Sequence, residues 1–270
     1  MVPNREVSVR GVFFNVSGIG AESNKKWDEI EQGNWEPQTF RILANLLNNN
    51  HCALELGIDT GQTSLFTASL VGKFIAVEPS LESMKTAYEL FRLNPKLLEK
   101  TILLHGALSN TRDQVFFGKG SKLFDDIHFR SNDPKIFVQG YLIEDLESIV
   151  EQPITFVNMD IEGGEYICLG TMIPWLQKNK PIFLLSLHPG FLLNAKQARS
   201  NVLIRYLKRV KEQFKIYKSI SFYPYVYDAV TLNRIVPLSV FKLKYLRSKS
   251  AHNSQILCTN FEIKNISSWI

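Results

Sequence analysis

The chain has 270 residues, of which 45% are hydrophobic and 11% aromatic, and its formal net charge is +5. This composition can fill a substantial core, and the length fits one large α/β domain or two small ones. The three cysteines lie far apart in apolar runs, which predicts reduced core thiols and argues against a disulfide framework or a zinc site. No segment is long and apolar enough to span a bilayer, and the N-terminus lacks the layout of a signal peptide, so we expect a cytoplasmic protein.

The net charge is unevenly distributed along the chain. Residues 196–250 hold thirteen Lys or Arg against two acids, Glu212 and Asp228, which leaves the remainder net acidic. Such a field favours anionic ligands or surfaces, and a solvated helix face is the alternative explanation. No run of basic and aromatic residues matches an RNA-binding motif, so we do not expect nucleic acid as the partner.

The predicted elements follow in chain order. Residues 1–22 are expected to be irregular, and apolar spacing predicts two helices over 25–48, which Gly33 and Pro37 separate. Residues 109–140 are rich in turn-forming residues and predict a hairpin and a loop. The other predicted elements are strands 52–57, 73–78, 101–108, 154–160, 181–187, 215–222 and 255–263, and helices 62–71, 81–93, 143–150, 163–177 and 194–214.

Strands that alternate with helices predict an α/β fold with a doubly wound, mostly parallel, Rossmann-like sheet and helices on both faces. We expect residues 1–48 to form an N-terminal helical extension and residues 49–270 to form the ligand-binding domain. Ligands of such sheets bind outside the carboxyl ends of the strands, at the switch point. Five residues stand where a core strand ends and should line one crevice: Gly57, Glu78, Ala107, Asp160 and His188.

The most informative segment is ALELGIDTGQ, residues 53–62, because it predicts a buried strand followed by a glycine turn and a helix. Gly57 and Gly61 permit a tight turn and a close approach to a ligand. Glu78 ends the next predicted strand, 78 − 57 = 21 residues after the first glycine. A carboxylate at about 20 residues is the usual partner of a ribose diol, so the segment predicts a nucleotide pocket.

The spacing also restricts the nucleotide. The dinucleotide fingerprint needs glycines at its first, third and sixth positions, but Asp59 and Gln62 occupy the third and sixth here. The Walker pattern is absent as well. A nucleoside without a phosphate chain, such as S-adenosylmethionine, fits better, and an ordinary strand–turn–helix with chance glycines is the alternative.

A second acidic cluster, DIEGGE, follows the predicted strand 154–160 directly. Asp160 ends that strand, and an unpaired buried carboxylate is costly, so we predict a functional role for it. Glu165 falls in the first turn of the next helix, where it interacts favourably with the helix dipole, so we predict a structural role for it.

These motifs resemble the signature of FkbM-type methyltransferases. The resemblance covers residues 35–190 and rests on WEP (35–37), ELGIDTG (55–61), EPS (78–80), DIEGGE (160–165) and LHP (187–189). It implies a class I S-adenosylmethionine-dependent fold for residues 49–270 and methylation of hydroxyls, often on sugars and natural products. The absence of a Pro-Pro-aromatic turn after the fourth strand is a further likeness to enzymes that methylate oxygen rather than the amines of bases.

The resemblance also implies roles by position. Glu55, Gly57 and Gly61 would bound the methionine part of the cofactor, Glu78 would bind the ribose, and Ala107 or Ser109 would neighbour the adenine. Where this chain has Glu55, Ile58 and Asp59, the family usually has Asp, Ala and Asn, and Asn158-Met159 replace its usual lysine before the acidic signature. The predicted cofactor-binding set is Glu55, Gly57, Asp59, Gly61, Glu78, Pro79, Ala107 and Asp160.

The catalytic prediction follows from the chemistry of methyl transfer to a hydroxyl, which needs a base. His188 is the first candidate because its ordinary pKa lies near neutrality, and Asp160 would orient it or act as the base itself. Together with Glu162 they could instead hold a divalent metal, which is possible but not required by their spacing. The expected substrate is a small-molecule or glycan hydroxyl. The alternatives are a methyltransferase for a phosphorylated or nucleic-acid substrate and a non-catalytic nucleotide-binding protein of the same fold.

Overall fold

The computed structural model describes residues 4–17, 21–118, 122–123, 136–188, 202–235, 254–264 and 269. The described strands are β1 (Asn4–Val9), β2 (Val12–Ser17), β3 (Cys52–Leu56), β4 (Lys73–Glu78), β5 (Thr101–His105), β6 (Ala107–Leu108), β7 (Gln114–Gly118), β8 (Lys122–Leu123), β9 (Ile136–Tyr141), β10 (Phe156–Met159), β11 (Ile182–Leu187), β12 (Tyr225–Asp228) and β13 (Ser254–Thr259). The described helices are α1 (Ala21–Glu31), α2 (Pro37–Leu46), α3 (Gln62–Leu70), α4 (Leu81–Arg92), α5 (Pro95–Leu98), α6 (Ile143–Val150), α7 (Glu165–Asn179) and α8 (Val202–Ile220).

The central sheet has seven strands in the order β12-β13-β11-β10-β3-β4-β5. The five strands from β11 to β5 pair in parallel, and β13 is antiparallel to both β11 and β12. Every residue of β3 and of β11 is buried, as expected for parallel strands covered on both faces. The predicted α/β fold with a mostly parallel, doubly wound sheet is therefore confirmed.

The winding direction of the sheet reverses between β3 and β10, which are neighbours although about a hundred residues separate them. The chain first adds β4 and β5 on one side of β3, and then returns to add β10 and β11 on the other side. Open α/β sheets bind their ligands at such a switch point, outside the carboxyl ends of the strands. The residues that follow β3 and β10, including Gly57 and Asp160, stand at this point.

Two hydrophobic clusters cover the two faces of the sheet. Alternate strand residues point to opposite sides, so that Phe74 belongs to one cluster and Ile75 to the other. Helices α1 to α4 contribute to the first cluster, and α6, α7 and α8 contribute to the second. Cys52, Cys168 and Cys258 are free and buried, which confirms the predicted core thiols.

The N-terminal prediction was wrong for residues 4–17, which were expected to be irregular. They form the antiparallel hairpin β1–β2, in which Asn4 pairs with Ser17. Phe14 and Val16 are buried in the same cluster as Trp27. Apolar and polar residues alternate over these short segments, and this pattern favours strands with one buried face, as in the hairpin.

Two further boundaries differ from the prediction. The predicted strand 101–108 splits at Gly106, where the chain leaves the central sheet and enters a second sheet with the order β6-β9-β7-β8. The predicted strand 215–222 is wrong, because α8 continues to Ile220. Ile216 and Ile220 are buried at helical spacing, four residues apart, so their burial fits a helix as well as the strand we predicted. The hairpin predicted within 109–140 is confirmed by the antiparallel pairing of β7 with β9.

Part of the basic segment 196–250 lies outside the described residues, including the cluster from Lys242 to Lys249. Within α8, Lys211, Lys215 and Lys218 are exposed, which fits a solvated helix face. None of the helices in the described ranges combines the length and the apolar character that a membrane span needs.

Candidate active site

A cavity of about 270 Å³ opens at the carboxyl ends of β3, β4, β10 and β11. One side, which we call the sheet wall, consists of residues at the strand ends, and the other, the helical wall, comes from α1 and the residues before α2. The sheet wall contains Glu55, Gly57, Ile58, Asp59, Glu78, Pro79, Asn158, Asp160, Ile161, Glu162 and His188. The helical wall contains Lys26, Trp35 and Glu36.

Gly57 brings the turns after β3 and β10 into contact. Its φ is +79°, a left-handed conformation that favours glycine, and a Cβ at this position would lie 2.0 Å from the backbone oxygen of Asp160. The Gly57 N–H donates to the carbonyl of Val77 at 3.0 Å, which also connects the turn to β4. A side chain at position 57 would push apart the three strand ends that form the cavity.

Glu78 stands at the end of β4 with 5% of its surface exposed. Its carboxylate accepts hydrogen bonds from the backbone N–H of Ile58 at 3.0 Å and of Ser80 at 2.7 Å. Burial raises the pKa of Glu78, and these backbone donors oppose the increase. Each carboxylate oxygen has a second lone pair, so the side chain can still accept a hydrogen bond from a ligand in the cavity.

Glu55 lies deeper in the sheet wall, on β3, and is 1% exposed. Asn158 on the neighbouring strand β10 donates its side-chain amide to Glu55 Oε1 at 2.9 Å. Burial raises the pKa of Glu55 to about 7, although the hydrogen bond from Asn158 favours the ionised form. A cationic group placed in the cavity would therefore draw this carboxyl towards its charged state.

Asp160, His188 and Glu165 form a connected group at the ends of β10 and β11. His188 Nε2 lies 3.3 Å from Asp160 Oδ1, and His188 Nδ1 lies 3.3 Å from Glu165 Oε1. Glu165 is fully buried and also accepts hydrogen bonds from the backbone N–H groups of Gly163 at 2.7 Å and His188 at 2.6 Å. Glu165 therefore ties the end of β11 to the turn after β10, in line with the structural role predicted for it.

The environment of His188 favours its protonated form. Burial lowers the pKa of the imidazole, but the hydrogen bond to Glu165 and the nearby charge of Asp160 outweigh this effect and raise it. A neutral imidazole donates from only one nitrogen, whereas the imidazolium donates from both. Burial raises the pKa of Asp160, and the His188 charge opposes that increase.

Trp35 of the helical wall was predicted to contribute to acceptor recognition, but Lys26 was given no role and Glu36 only a place in a resembling motif. Lys26 Nζ lies 2.9 Å from Asp59 Oδ2 and 4.6 Å from the ring centroid of Trp35. Glu36 accepts a hydrogen bond from the Thr39 hydroxyl at 3.1 Å. The apolar spacing of α1 and α2 predicted helices here, but it did not predict which residues face the strand ends.

Three of the seven described non-glycine residues with a left-handed backbone line the cavity. Glu36, Asp59 and Glu162 have φ values of +43°, +46° and +47°. A left-handed backbone costs a non-glycine residue roughly 1–2 kcal/mol. Such residues are enriched at functional sites, where the surrounding structure holds them in place. These three carboxylates are therefore candidates for functional residues.

The cavity has a strongly acidic lining. Among the described residues at the cavity, six carboxyl groups stand against two basic side chains, Lys26 and His188. The six carboxylates are Glu36, Glu55, Asp59, Glu78, Asp160 and Glu162. An anionic ligand such as a phosphate chain would be repelled here, whereas a cationic ligand would be attracted.

Most of the predicted site residues meet at this cavity, but two do not line it. Gly61 begins α3 with φ +88°, and a Cβ there would lie 3.0 Å from Ala87 Cβ, so its role is in helix packing. Ala107 is buried in β6 beside β9. Within the described ranges, no group of three or more His, Cys, Asp or Glu side chains is arranged to hold a metal ion.

No protein-family model matches the sequence, and no curated protein matches it. Three solved structures illustrate what the chain is similar to. The methyltransferase FkbM from Methylobacillus flagellatus KT matches at 14% identity and a TM-score of 0.47, over 89% of this chain and 55% of that one. The chain thus spans about half the length of that protein.

The O-methyltransferase from Bacillus cereus in complex with SAH matches at 14% identity and a TM-score of 0.39, over 70% of this chain and 69% of that one. An rRNA methylase from Streptococcus thermophilus matches at 14% identity and a TM-score of 0.35, over 54% of this chain and 67% of that one. The function proposed below rests on the geometry and charge of the cavity.

Proposed function

We propose that the protein is an S-adenosylmethionine-dependent methyltransferase that transfers a methyl group to a hydroxyl of a sugar or a sugar-bearing metabolite. The observation that carries the proposal is an acidic cavity at the switch point of the sheet, where Glu78 ends β4 opposite the Gly57 turn. S-adenosylmethionine carries a sulfonium, an ammonium and a carboxylate group, so its net charge is positive, and it has no phosphate. This net charge matches a lining in which six carboxyl groups stand against Lys26 and His188.

The residues present fit this cofactor. Glu78 offers carboxylate lone pairs at the place where a doubly wound sheet binds a ribose diol. Glu55 offers a buried carboxyl that a nearby cation would ionise. Gly57 leaves bare backbone at the point of closest approach between the strand ends. NAD and ATP fit less well, because their phosphates would enter a cavity whose lining carries more carboxyl groups than basic side chains.

Transfer to oxygen needs a proton acceptor, and Asp160 fits that role better than His188. Both ring nitrogens of His188 face carboxylates, so its protonated form has no lone pair with which to take a proton. Asp160 keeps 30% of its side chain exposed at the cavity, and burial raises its pKa, which makes its carboxylate a stronger base. In the proposed reaction, His188 would orient Asp160, and Asp160 would accept the proton of the acceptor hydroxyl; a cofactor held by Glu55, Gly57 and Glu78 would supply the activated methyl group.

The acidic lining also bears on the acceptor. A phosphorylated or nucleic-acid acceptor would bring further negative charge to the carboxylates of the cavity, which is unfavourable. A neutral hydroxyl compound avoids this repulsion and can donate hydrogen bonds to the same carboxylates. A sugar, which presents many hydroxyl groups and no charge, suits this chemistry.

The first test is calorimetric titration with S-adenosylmethionine and with its demethylated product, S-adenosylhomocysteine. We expect the wild-type protein to bind both, and Glu78→Ala to lose binding while it remains folded in a thermal unfolding scan. Glu82→Ala, an exposed glutamate in the first turn of α4, is the matched control and should bind normally. A wild-type protein that binds neither compound would overturn the proposal.

The second test measures methyl transfer from a labelled donor to crude glycan and metabolite extracts. Removal of a positioned base costs about 10²- to 10⁴-fold in rate, so Asp160→Asn should lower turnover by that order with little change in cofactor affinity. An equal loss of turnover and affinity would show that Asp160 holds the site together and is not the base.

A further inference from the structure

A buried network of polar side chains connects the two walls of the cavity through Gln255. The amide nitrogen of Gln255 on β13 donates to the Thr39 hydroxyl at 3.0 Å and to the Ser186 hydroxyl at 3.1 Å. Thr39 donates to Glu36 at 3.1 Å, and Ser186 makes a side-chain hydrogen bond to Asp160. Thr39, Ser186 and Gln255 are all at most 3% exposed, so this network is fixed by the core.

The number of hydrogen-bond donors and acceptors determines which group donates to which in this network. The Gln255 amide has two protons and gives one to each hydroxyl, so each hydroxyl is left with its own proton to donate. Gln255 Oε1 lies 3.1 Å from the Thr39 hydroxyl and also accepts from the Gln38 amide at 3.1 Å, but the charged carboxylate of Glu36 is the stronger acceptor for the Thr39 proton. The Thr39 proton is therefore directed to Glu36, where it stabilises the ionised carboxylate.

The backbone of Glu36 has an unfavourable conformation, in which its side chain lies at the cavity. Its φ and ψ of 43° and 46° are left-handed, and the following residue, Pro37, disfavours a helical conformation before it. Thr39 holds the side chain at the cavity, whose lining includes Glu36. Strain of this kind at a cavity wall points to a functional role for the side chain.

Three other charged groups act on the Glu36 carboxylate, each from a different element. They are Asp160 after β10, Glu55 on β3 and Lys26 on α1. Burial raises the pKa of Glu36 to about 7, and the negative charge of Asp160 adds to the increase, while Thr39 and Lys26 oppose it. Near neutral pH the carboxyl is therefore close to half protonated, and one additional positive charge in the cavity would ionise it.

We infer that Glu36 determines specificity for the charged form of the cofactor, by losing its proton to solvent when the sulfonium donor binds and regaining it when the neutral thioether product remains. The inference rests on the proposed function and adds a role that the strand-end motifs do not supply. The donor and the product differ by one positive charge, and their other groups are the same. A carboxyl that ionises only beside that charge strengthens binding of the donor. After transfer it regains its proton, and binding of the product is weaker.

The test measures the protons exchanged on binding, which requires no acceptor substrate. Titration with each compound at about pH 7, in buffers of different ionisation enthalpy, gives the number of protons released from the slope of the observed enthalpy. We expect the wild-type protein to release more protons with S-adenosylmethionine than with S-adenosylhomocysteine. Glu36→Gln should reduce this difference by about half a proton, the amount that a half-protonated carboxyl can give up.

Two variants separate a charge-sensing role from a structural one. Glu36→Gln should weaken donor binding about fivefold more than product binding, because only the donor carries the additional charge. Thr39→Val removes the hydroxyl that stabilises ionised Glu36, so the difference in released protons at about pH 7 should increase above the wild-type value. Glu82→Gln, on the exposed side of α4, should behave as the wild type in both measurements.

Three outcomes are informative. If both compounds bind and the difference in released protons is the same in Glu36→Gln as in the wild type, the inference is wrong and the proposed function stands. If Glu36→Gln weakens both compounds equally, Glu36 is a general binding residue and the inference is again wrong. If the wild-type protein binds neither compound, the proposed function fails first.

Discussion

The two walls of the cavity hold their carboxylates in different ways. On the sheet wall, Glu78 accepts hydrogen bonds from two backbone N–H groups, and Glu165 behind it does the same. On the helical wall, Glu36 accepts from the side-chain hydroxyl of Thr39. Backbone donors are fixed by the fold, so Glu78 and Glu165 also connect the loops. Changes at Gly57 and Glu165, which hold the strand ends together, should therefore cost stability, whereas changes in the helical wall should alter binding alone.

The largest effect is expected for Gly57→Ala in the sheet wall. The new methyl group would lie 2.0 Å from the Asp160 carbonyl oxygen, in a left-handed conformation that alanine disfavours. We expect a loss of about 3 kcal/mol or more in the free energy of unfolding, together with loss of cofactor binding. Denaturant unfolding and calorimetric titration measure the two effects.

Gly170→Ala is the matched control for that experiment. Gly170 lies within α7, and a Cβ there would meet no atom within 4 Å. Alanine is the better helix former by about 1 kcal/mol, so this variant should be as stable as the wild type or more stable, with normal binding. A Gly57→Ala protein that unfolds and binds like the Gly170→Ala protein would show that the glycine turn does not form the cavity.

Glu165→Gln should have the next largest effect. An amide presents only one acceptor oxygen, whereas Glu165 accepts from the N–H of Gly163 and of His188 and faces the His188 ring. One buried backbone donor would then lack its partner and the His188 ring would keep only Asp160 as a charged partner, which together costs about 3 kcal/mol of stability. Denaturant unfolding near neutral pH measures the loss, and a change of less than about 1 kcal/mol would contradict the structural role assigned to Glu165.

The difference between the walls also explains what could be predicted from the sequence. Gly57, Glu78, Asp160 and His188 follow predicted strands, and parallel strands bring their carboxyl ends to one edge, so strand positions alone bring these four residues to one cavity. Ala107 also ends a predicted strand, but in the structure it does not line the cavity. The chain leaves the central sheet at Gly106, and no local pattern indicated that a second sheet begins there.

The helical wall could not be predicted in the same way, because its position depends on contacts between distant parts of the chain. Thr39 meets its partner Gln255 across 216 residues. The spacing of apolar residues predicted α1 and α2 as helices, but not the face of each that turns towards the strand ends. Lys26 and Glu36 were therefore not predicted as site residues, although Trp35 and Glu36 belong to the WEP motif (35–37).

Glu55→Gln is a change in the sheet wall that should increase the free energy of unfolding rather than lower it. The pKa of Glu55 is about 7 in the folded protein, against 4.5 for an ordinary glutamate. Between these values the folded state holds a proton that the unfolded state has lost, so the stability of the wild type falls as pH rises and stays reduced above about pH 7.

The amide cannot ionise, and its oxygen can still accept the hydrogen bond from Asn158. Thermal unfolding should therefore find Glu55→Gln equal to the wild type at about pH 4.5 and more stable by about 2–3 kcal/mol at about pH 8. A variant that is less stable than the wild type at the higher pH would show that Glu55 is ionised and fully compensated in the folded protein.

The smallest effect is expected for Lys26→Met in the helical wall. Its ion pair with Asp59 is largely exposed on the Asp59 side, so the free energy of unfolding should change by less than about 1 kcal/mol. The cavity would lose its one described lysine, which leaves Asp59 without that partner and makes the lining more acidic. Binding of S-adenosylmethionine should therefore strengthen about threefold, and binding of S-adenosylhomocysteine should change less.

Lys25→Met separates this local effect from a general change in net charge. Lys25 is the neighbour of Lys26 on α1, its side chain is 77% exposed, and it does not line the cavity. Calorimetric titration at physiological ionic strength should find both compounds bound as in the wild type, since the field of an exposed charge outside the cavity is largely screened there. Equal changes in binding for the two lysine variants would contradict a role of the helical wall that depends on charge at the cavity. An equal effect of Lys26→Met on donor and product would contradict it as well. The two walls would then differ only in their contribution to stability.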